Sequence, residues 1–388
     1  MVSKALVAGA YQRKLEELAM LGNCRLTAIV PPGWQDRHDP VQLDRAHTGG
    51  YELVVAPLAF NGNYHLHFYP SLGRLLRRLR PDILHMDEEP YNLATWQALR
   101  LGQQVGARSL FFTWQNMLRR YPWPFGSFER ANYRRAAYAI AGNQAAAQVL
   151  REKGYSGPLA VIPQFGVDPE IFSPAPSGDH ARDRLDADES PGGAQPGNLV
   201  IGYAGRLVPE KGIDVLLRAC VRLPSEAWRV RLLGDGPDRE RLRALACELG
   251  IEARISFLGR LPSTRVVDFY RGLDVLVLPS VRRPGWMEQF GRVLIEAMAC
   301  HVAVIGSDSG EIPQVIGDAG LVFPEGDAAG LCDAITALAD DPSRRAELAA
   351  RGRARVLENF THARIAAATW RIYQEMGSPR QSTPGSTG

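Results

Sequence analysis

From Ala5 to Pro163, short apolar runs alternate with helical patterns: ALVAGA, LTAIV, ELVVAPL, DILHM, RSLFFTW, YAIAG and LAVIP are spaced by segments such as EELAMLG, LGRLLRRL and NLATWQALRLGQQVG. The alternation resumes at Leu199, where LVIGYAG, WRVRLLGDG, RISFLG, DVLVLPS, VAVIGSD and LVFP are each followed by an amphipathic helical stretch. Regular strand–helix alternation folds as a parallel sheet covered by helices. Two such blocks predict an α/β chain of two Rossmann-like domains.

The boundaries follow from where the alternation stops. Residues 176–197, PSGDHARDRLDADESPGGAQPG, carry no apolar period and read as a flexible linker. The expected division is therefore a first domain over 1–175, the linker, and a second domain over 198–354. A helix follows over 355–376, and the tail 377–388, GSPRQSTPGSTG with its preceding Met376, is expected to be disordered. MVSKALVAGA is too short in its apolar part for a secretory leader and is expected to form the first strand.

The 388 residues are 45% hydrophobic and 22% charged, as in a soluble globular protein. No apolar run approaches the roughly 18 residues of a membrane span. Five scattered cysteines without a CxxC pair point away from a disulfide framework or a zinc site and toward a reducing, cytoplasmic setting. The net charge of +3 is uneven: residues 1–175 hold 19 basic and 14 acidic side chains, whereas 198–376 hold 23 of each. A mildly basic first domain is too weakly charged for a nucleic-acid reader but suits an anionic surface or substrate.

Two stretches carry chemistry. In GYAGRLVPEKGIDVLLRA, a strand ends at a glycine-rich turn and a helix starts near Gly212. Gly202 and Gly205 permit close backbone approach, the helix start offers free N–H groups, and Arg206 and Lys211 would neutralise a diphosphate. A plain strand-to-helix turn with two solvated cations reads the same way. The second stretch, SVRRPGWMEQFGRVLIEAMAC, holds Glu288 in a loop and Glu296 inside an apolar helical run opened by Gly291. The backbone at Phe290 and Gly291 makes a second phosphate site. Glu296 can accept two hydrogen bonds from a ribose diol, and Glu288 can meet sugar hydroxyls or developing positive charge. A helix-capping acid and a buried ion pair are the plainer alternatives.

Six ordered segments now resemble a known family: VIPQFGVDPEIFSP, GYAGRLVPEKGIDVLLRA, LLGDGPDRERLRALA, ISFLGRLPSTRVVDFYRGLDVLVLPS, MEQFGRVLIEAMAC and GSDSGEIPQVIGDAGLVFPEGD. The chain resembles the family 4 (group 1) retaining glycosyltransferases, strongly over about 160–376 and more loosely before. The resemblance implies the GT-B fold, two Rossmann-like domains facing across a cleft with the C-terminal helix crossing back to the first. It implies that Arg206 and Lys211 hold the donor phosphates, that Glu288 contacts the donor sugar and Glu296 the ribose, and that Phe290 and Gly291 complete the phosphate site. The base is expected to meet backbone near Gly259–Leu261.

The match thins in the first domain. LHMDEEPYN places His85, Glu88 and Glu89 where the family points a His and acids at the acceptor. SLFFTWQN puts Gln115, followed by Asn116, where many relatives carry a catalytic-site His, and Gln does not titrate. After the first strand only Gly9 survives of a glycine-rich loop, with Tyr11, Arg13 and Lys14 behind it. LGRLLRRLRPD (Arg74, Arg77, Arg78, Arg80) reads as a packed helix with a solvated face, or as a dock for anionic lipid aided by MLRRYPWPFGSFERANYRR. The only DxD, Asp186-Ala187-Asp188, lies in the linker, so no metal is expected.

The expected function is retaining transfer of a sugar from a UDP- or GDP-sugar to an acceptor hydroxyl on a cell-envelope glycan, a lipid-linked or a small-molecule glycoside. No cofactor is expected beyond the nucleotide-sugar co-substrate, and no nucleic acid. The setting is the cytoplasm, extending to peripheral contact with the inner membrane face. A nucleotide-sugar epimerase, a phosphorylase and a non-catalytic nucleotide-sugar binder are the alternatives on the same fold. A NAD-linked enzyme lacks its GxGxxG fingerprint.

Overall fold

A computed structural model describes residues 1–22, 24–35, 40–176 and 198–377. The linker proper and the tail beyond Gly377 lie outside the described residues, as does the Asp186–Asp188 pair. The chain divides into two compact units, one of Met1–Phe165 with the segment from His362, the other of Gly166–Thr361. The division thus falls at 165/166, ten residues before the boundary expected from sequence. Gly166 to Thr361 holds together partly because Val167 bridges Thr361 and Arg271 donates to the Ser173 carbonyl.

In the first unit, β1 (Thr27–Val30) is followed by a two-residue antiparallel hairpin of β2 (Gly33–Trp34) and β3 (Val41–Gln42), then β4 (Glu52–Val55). β5 (Ile83–Met86), β6 (Arg108–Thr113), β7 (Tyr138–Ala141) and β8 (Leu159–Val161) follow, with helices between them. All the long pairings are parallel: β4 with β1, and β5 through β8 in sequence. The expected first strand does not form. Ala5–Val7 and Gly9–Tyr11 wind into 3-10 turns, and Val2 alone bridges Ile29 and Met86 in parallel. The Val2 amide donates to the His85 carbonyl and the Val2 carbonyl accepts from Asp87, so one residue stitches the two parts of the sheet together. Counting Val2 as its first strand, the sheet runs 3-2-1-4-5-6-7 and reverses direction between Val2 and β5.

The sequence explains the packing. Helix Leu72–Leu79 buries Leu72 and Leu76 and leaves Arg74, Arg77, Arg78 and the following Arg80 exposed. Helix Gln144–Glu152 starts at Asn143, whose side chain accepts from the Ala146 amide at 2.7 Å, satisfying one otherwise unpaired N–H. The expected single helix over 355–376 is two, Pro342–Asn359 and His362–Gly377, broken at Phe360 and Thr361. The second helix buries Ile365, Ala366, Ile372 and Met376 in the core of the first unit, so the chain's end does return there.

The second unit holds β9 (Leu199–Ala204), β10 (Trp228–Leu233), β11 (Ile255–Gly259), β12 (Val275–Leu278), β13 (Ala303–Ser307) and β14 (Leu321–Phe323). They form one parallel sheet in the order β11-β10-β9-β12-β13-β14. β12, Val-Leu-Val-Leu, is buried throughout, as expected of a central strand covered on both faces. This 3-2-1-4-5-6 order reverses between β9 and β12. Ligands of doubly wound sheets lie beyond the carboxyl ends of the strands at that reversal.

Candidate active site

In the second unit, β9 runs out into Gly205, Arg206 and Leu207, and β12 into Pro279 and Ser280. The two loops are tied together: the Val281 amide donates to the Glu210 carbonyl at 2.9 Å. Gly212 caps helix Ile213–Cys220 at φ +64°, and a Cβ there would stand 2.0 Å from the Pro279 carbonyl oxygen. Only glycine lets the two strand ends approach this closely.

Lys211 and Glu288 meet at this point. Lys211 Nζ donates to Glu288 Oε2 at 2.6 Å, and the Ser280 hydroxyl donates to the same oxygen at 2.9 Å. Ser280 is itself fixed by Ser307, whose hydroxyl donates to its carbonyl. The Lys211 ammonium also lies 5.0 Å from the Trp286 ring centroid. Glu288 is buried, and its backbone is clamped by Gly310, which at φ +59° would bring a Cβ within 2.1 Å of the Glu288 carbonyl. The sequence-derived roles treat Lys211 and Glu288 as separate contacts, whereas here they neutralise each other. Arg206 is exposed on the same turn, its carbonyl held by the Tyr203 hydroxyl, and its guanidinium has no partner among the described residues.

Gly291, at φ +77°, opens helix Arg292–Ala299, and Phe290 before it packs edge-on against Phe360. Glu296 lies a turn inside the helix, buried. Tyr270 donates to its Oε2 at 2.5 Å and the Arg292 guanidinium contacts its Oε1 at 2.9 Å. The buried carboxylate is thus paired at both oxygens, which removes much of the penalty of placing it in an apolar run. Gly259, at φ +66°, ends β11 and its carbonyl accepts from the Gly234 amide at 2.7 Å; Leu261, two residues on, is partly exposed. Nothing in the sequence marks Tyr270, an aromatic on an ordinary amphipathic helix. Ser280 carries a usable signal, since it closes the apolar run DVLVLPS just past the end of β12.

In the first unit, the carboxyl ends of Val2 and β5 carry Ser3, Lys4, Asp87, Glu88 and Glu89. Ser3 donates to Asp87 at 2.9 Å, and burial raises the Asp87 carboxyl above its usual range. Glu88 is buried and ion-paired to Lys4; its Oε1 accepts from the Lys4 amide at 3.0 Å, and His67 Nε2 lies 3.2 Å from its Oε2. Burial pushes this carboxyl up, but Lys4 and His67 outweigh it and hold it down at about 2. Glu89 takes the Thr113 hydroxyl on Oε2 at 2.6 Å and the Trp114 amide on Oε1 at 2.8 Å. Burial prevails here, pushing the carboxyl up to about 7 against those two donors.

The remaining expected acceptor residues fall elsewhere. His85 sits within β5, 3% exposed, with Nδ1 2.7 Å from the Tyr373 hydroxyl. Burial depresses its imidazolium well below the usual range, so the ring is neutral and enclosed. Gln115 is buried and its amide is taken at both ends: Oε1 accepts from Lys153 and Nε2 donates to the Met117 carbonyl, each at 3.3 Å. Asn116 is buried beside it. Lys14 is also buried and donates to the Gln164 carbonyl at 3.0 Å, while Arg13 pairs with Glu16 and Glu17. No helix among the described residues is long and apolar enough to cross a membrane.

Comparison with known proteins agrees with this architecture. The model for "Glycosyl transferases group 1" matches residues 186–355, and that for "Glycosyltransferase Family 4" matches residues 15–171. A D-inositol 3-phosphate glycosyltransferase of Stackebrandtia nassauensis is 38% identical over 200 residues, 48% of this chain and 42% of the relative. A GDP-mannose-dependent monoacylated alpha-(1-6)-phosphatidylinositol monomannoside mannosyltransferase of Corynebacterium glutamicum is 35% identical over 49% of this chain and 50% of its own. The chain thus spans about half the length of the curated relatives it matches. Among solved structures, Anabaena HepE in complex with UDP superimposes with a TM-score of 0.74 at 18% identity, over 96% of this chain and 98% of that one. Sucrose-phosphate synthase from Thermosynechococcus elongatus gives 0.70 at 22% identity, over 97% and 98%. With both halves matched in order and the two-domain GT-B fold shared from end to end, the chain belongs to the group 1, family 4 glycosyltransferases.

Proposed function

We propose that this protein is a retaining glycosyltransferase that moves a sugar from a UDP- or GDP-sugar to an acceptor hydroxyl. The observation that carries the reading is the Lys211–Glu288–Ser280 cluster beyond the β9/β12 reversal, with the exposed Arg206 guanidinium, which has no partner among the described residues, on the same turn. Arg206, Lys211 and the backbone at Gly205, Phe290 and Gly291 would hold the diphosphate. Lys211 would exchange part of its bond to Glu288 for a phosphate oxygen, leaving Glu288 to face the sugar. Glu296, pre-set by Tyr270 and Arg292, would receive the ribose hydroxyls. The mannosyltransferase named above is GDP-mannose-dependent and HepE is seen in complex with UDP, which supports a nucleoside-diphosphate donor.

In the reaction, the bond from the anomeric carbon to the leaving phosphate oxygen breaks as the acceptor oxygen bonds to that carbon on the same face. The acceptor proton passes to the leaving phosphate. The protein positions the groups and stabilises charge. The cationic turn supplies the charge a divalent ion supplies elsewhere, so the reaction is proposed to need no metal. Transfer measured in excess chelator with UDP-glucose and GDP-mannose tests this. Glu288→Ala should lower kcat at least 100-fold, and wild-type turnover in that variant would sink the assignment.

The acceptor belongs to a glycan, a lipid-linked sugar or a small glycoside. Contact with an anionic membrane face is part of the reading and rests on the exposed Arg74, Arg77, Arg78 and Arg80, with Trp123 84% exposed. Failure to sediment with anionic vesicles at physiological salt would remove that part.

A further inference from the structure

We propose that Glu89 is the group in the first unit that receives the acceptor's sugar hydroxyl, and that it does so as the carboxylate, making acceptor binding pH-dependent. The inference rests on the function proposed above and assigns one residue within it. Gln115, at the position where the family resemblance puts a His, is buried and tied to Lys153 and the Met117 carbonyl. His85 is enclosed against Tyr373. Glu88 is committed to Lys4, His67 and Asn92. Glu89 differs from all three. It lies at the carboxyl edge of the sheet beside the reversal, is partly exposed where the other three are buried, and has, among the described residues, one donor on each oxygen. A carboxylate oxygen accepts more than one hydrogen bond, so each keeps a lone pair for a ligand hydroxyl.

The donors also favour the ionised form. Thr113 and the Trp114 amide both donate, and they orient the two oxygens as acceptors. The charged and titratable groups facing Glu89 are Lys4 from the N-terminal segment, Glu88 from its own segment, and the hydroxyls of Tyr91, Tyr121 and Tyr133. Arg119 faces Tyr91 and Tyr121 in turn. Burial sets the balance and pushes the carboxyl up to about 7. A hydroxyl that donates to the ionised form must lower that value, and rising pH must strengthen its binding by the same linkage.

The test is the carboxyl 13C titration of the glutamate-labelled protein, with Glu89 assigned by its disappearance in Glu89→Gln. The probes are the methyl α-pyranosides of glucose, mannose and galactose at high concentration with UDP present. The expected result is a Glu89 midpoint near neutrality that falls when at least one glycoside is added. Apparent glycoside affinity should rise about tenfold between pH 6 and pH 8 in the wild type, the change in ionised fraction for a group titrating near 7, and stay flat in Glu89→Gln. A Glu89 midpoint in the ordinary carboxyl range overturns the proposal. So does a midpoint that none of the glycosides moves, or a pH dependence that survives in Glu89→Gln. UDP stabilisation is read separately: Glu89→Gln should retain it, and its absence in the wild type would count against the donor site rather than against Glu89.

Discussion

Replacing Tyr270 by Phe removes a single hydroxyl from the second unit. Tyr270 is 1% exposed and donates to Glu296 Oε2 at 2.5 Å. A hydrogen bond to a charged group contributes roughly 1.5–3 kcal/mol, and its loss leaves one oxygen of a buried carboxylate without that donor. Arg292 remains on the other oxygen, so the carboxylate is not stranded and the lower half of the range, about 2 kcal/mol, is expected. In a unit of this size each kcal/mol moves the melting temperature by roughly 2–4 °C, which predicts a fall of roughly 4–8 °C by calorimetry. Nucleotide affinity should fall with it, because Glu296 loses the partner that sets its rotamer. A double-mutant cycle with Glu296→Gln isolates the pair, and a coupling of about 1 kcal/mol or more is expected. A melting temperature within about 1 °C of wild type, with no coupling in the cycle, would refute the claim that Tyr270 positions Glu296.

Other outcomes follow from the same geometry. Gly310→Ala forces a side chain into φ +59° and against the Glu288 carbonyl, so it should destabilise by about 2 kcal/mol and lower turnover by displacing Glu288; unchanged stability would contradict the clamp. Glu88 has a folded value of about 2 against an ordinary 4.5, a depressed carboxyl. Its contribution is therefore present above about pH 4.5 and lost as the pH falls toward 2. It is worth about 3 kcal/mol. Urea unfolding against pH should show this acid limb in the wild type and not in Glu88→Gln.

The reach of the sequence differed between the two units for a physical reason. The second unit's strands and helices were placed by periodicity, and its site residues sit on backbone features that sequence records directly: Gly212 and Gly291 at helix starts, Ser280 at a strand end. Tyr270 was not legible, because a tyrosine that orients a carboxylate looks like any apolar-face aromatic. In the first unit the expected opening strand was lost because ALVAG winds into 3-10 turns and the sheet needs only Val2 at that position. The roles of His85, Glu88, Glu89 and Gln115 depend on partners 20 or more residues away or on the loop's own turn, such as Tyr373, Lys4, Thr113 and Met117. No spacing rule encodes those contacts. Apolar residues recur on both sides of the break at Phe360–Thr361, so periodicity alone shows one helix over 355–376 where the chain forms two.

The most direct test of the central claim is the thermal stabilisation of the protein by UDP, GDP, ADP, dTDP and NAD, without metal, in the wild type and in Lys211→Ala. Ligands that bind the native state raise its stability in proportion to the logarithm of their saturation. A clear rise with one nucleoside diphosphate, abolished in Lys211→Ala, is the predicted result. No rise with any diphosphate, or a rise with NAD alone, would contradict the assignment of Arg206, Lys211, Glu288 and Glu296 to a nucleotide-sugar site.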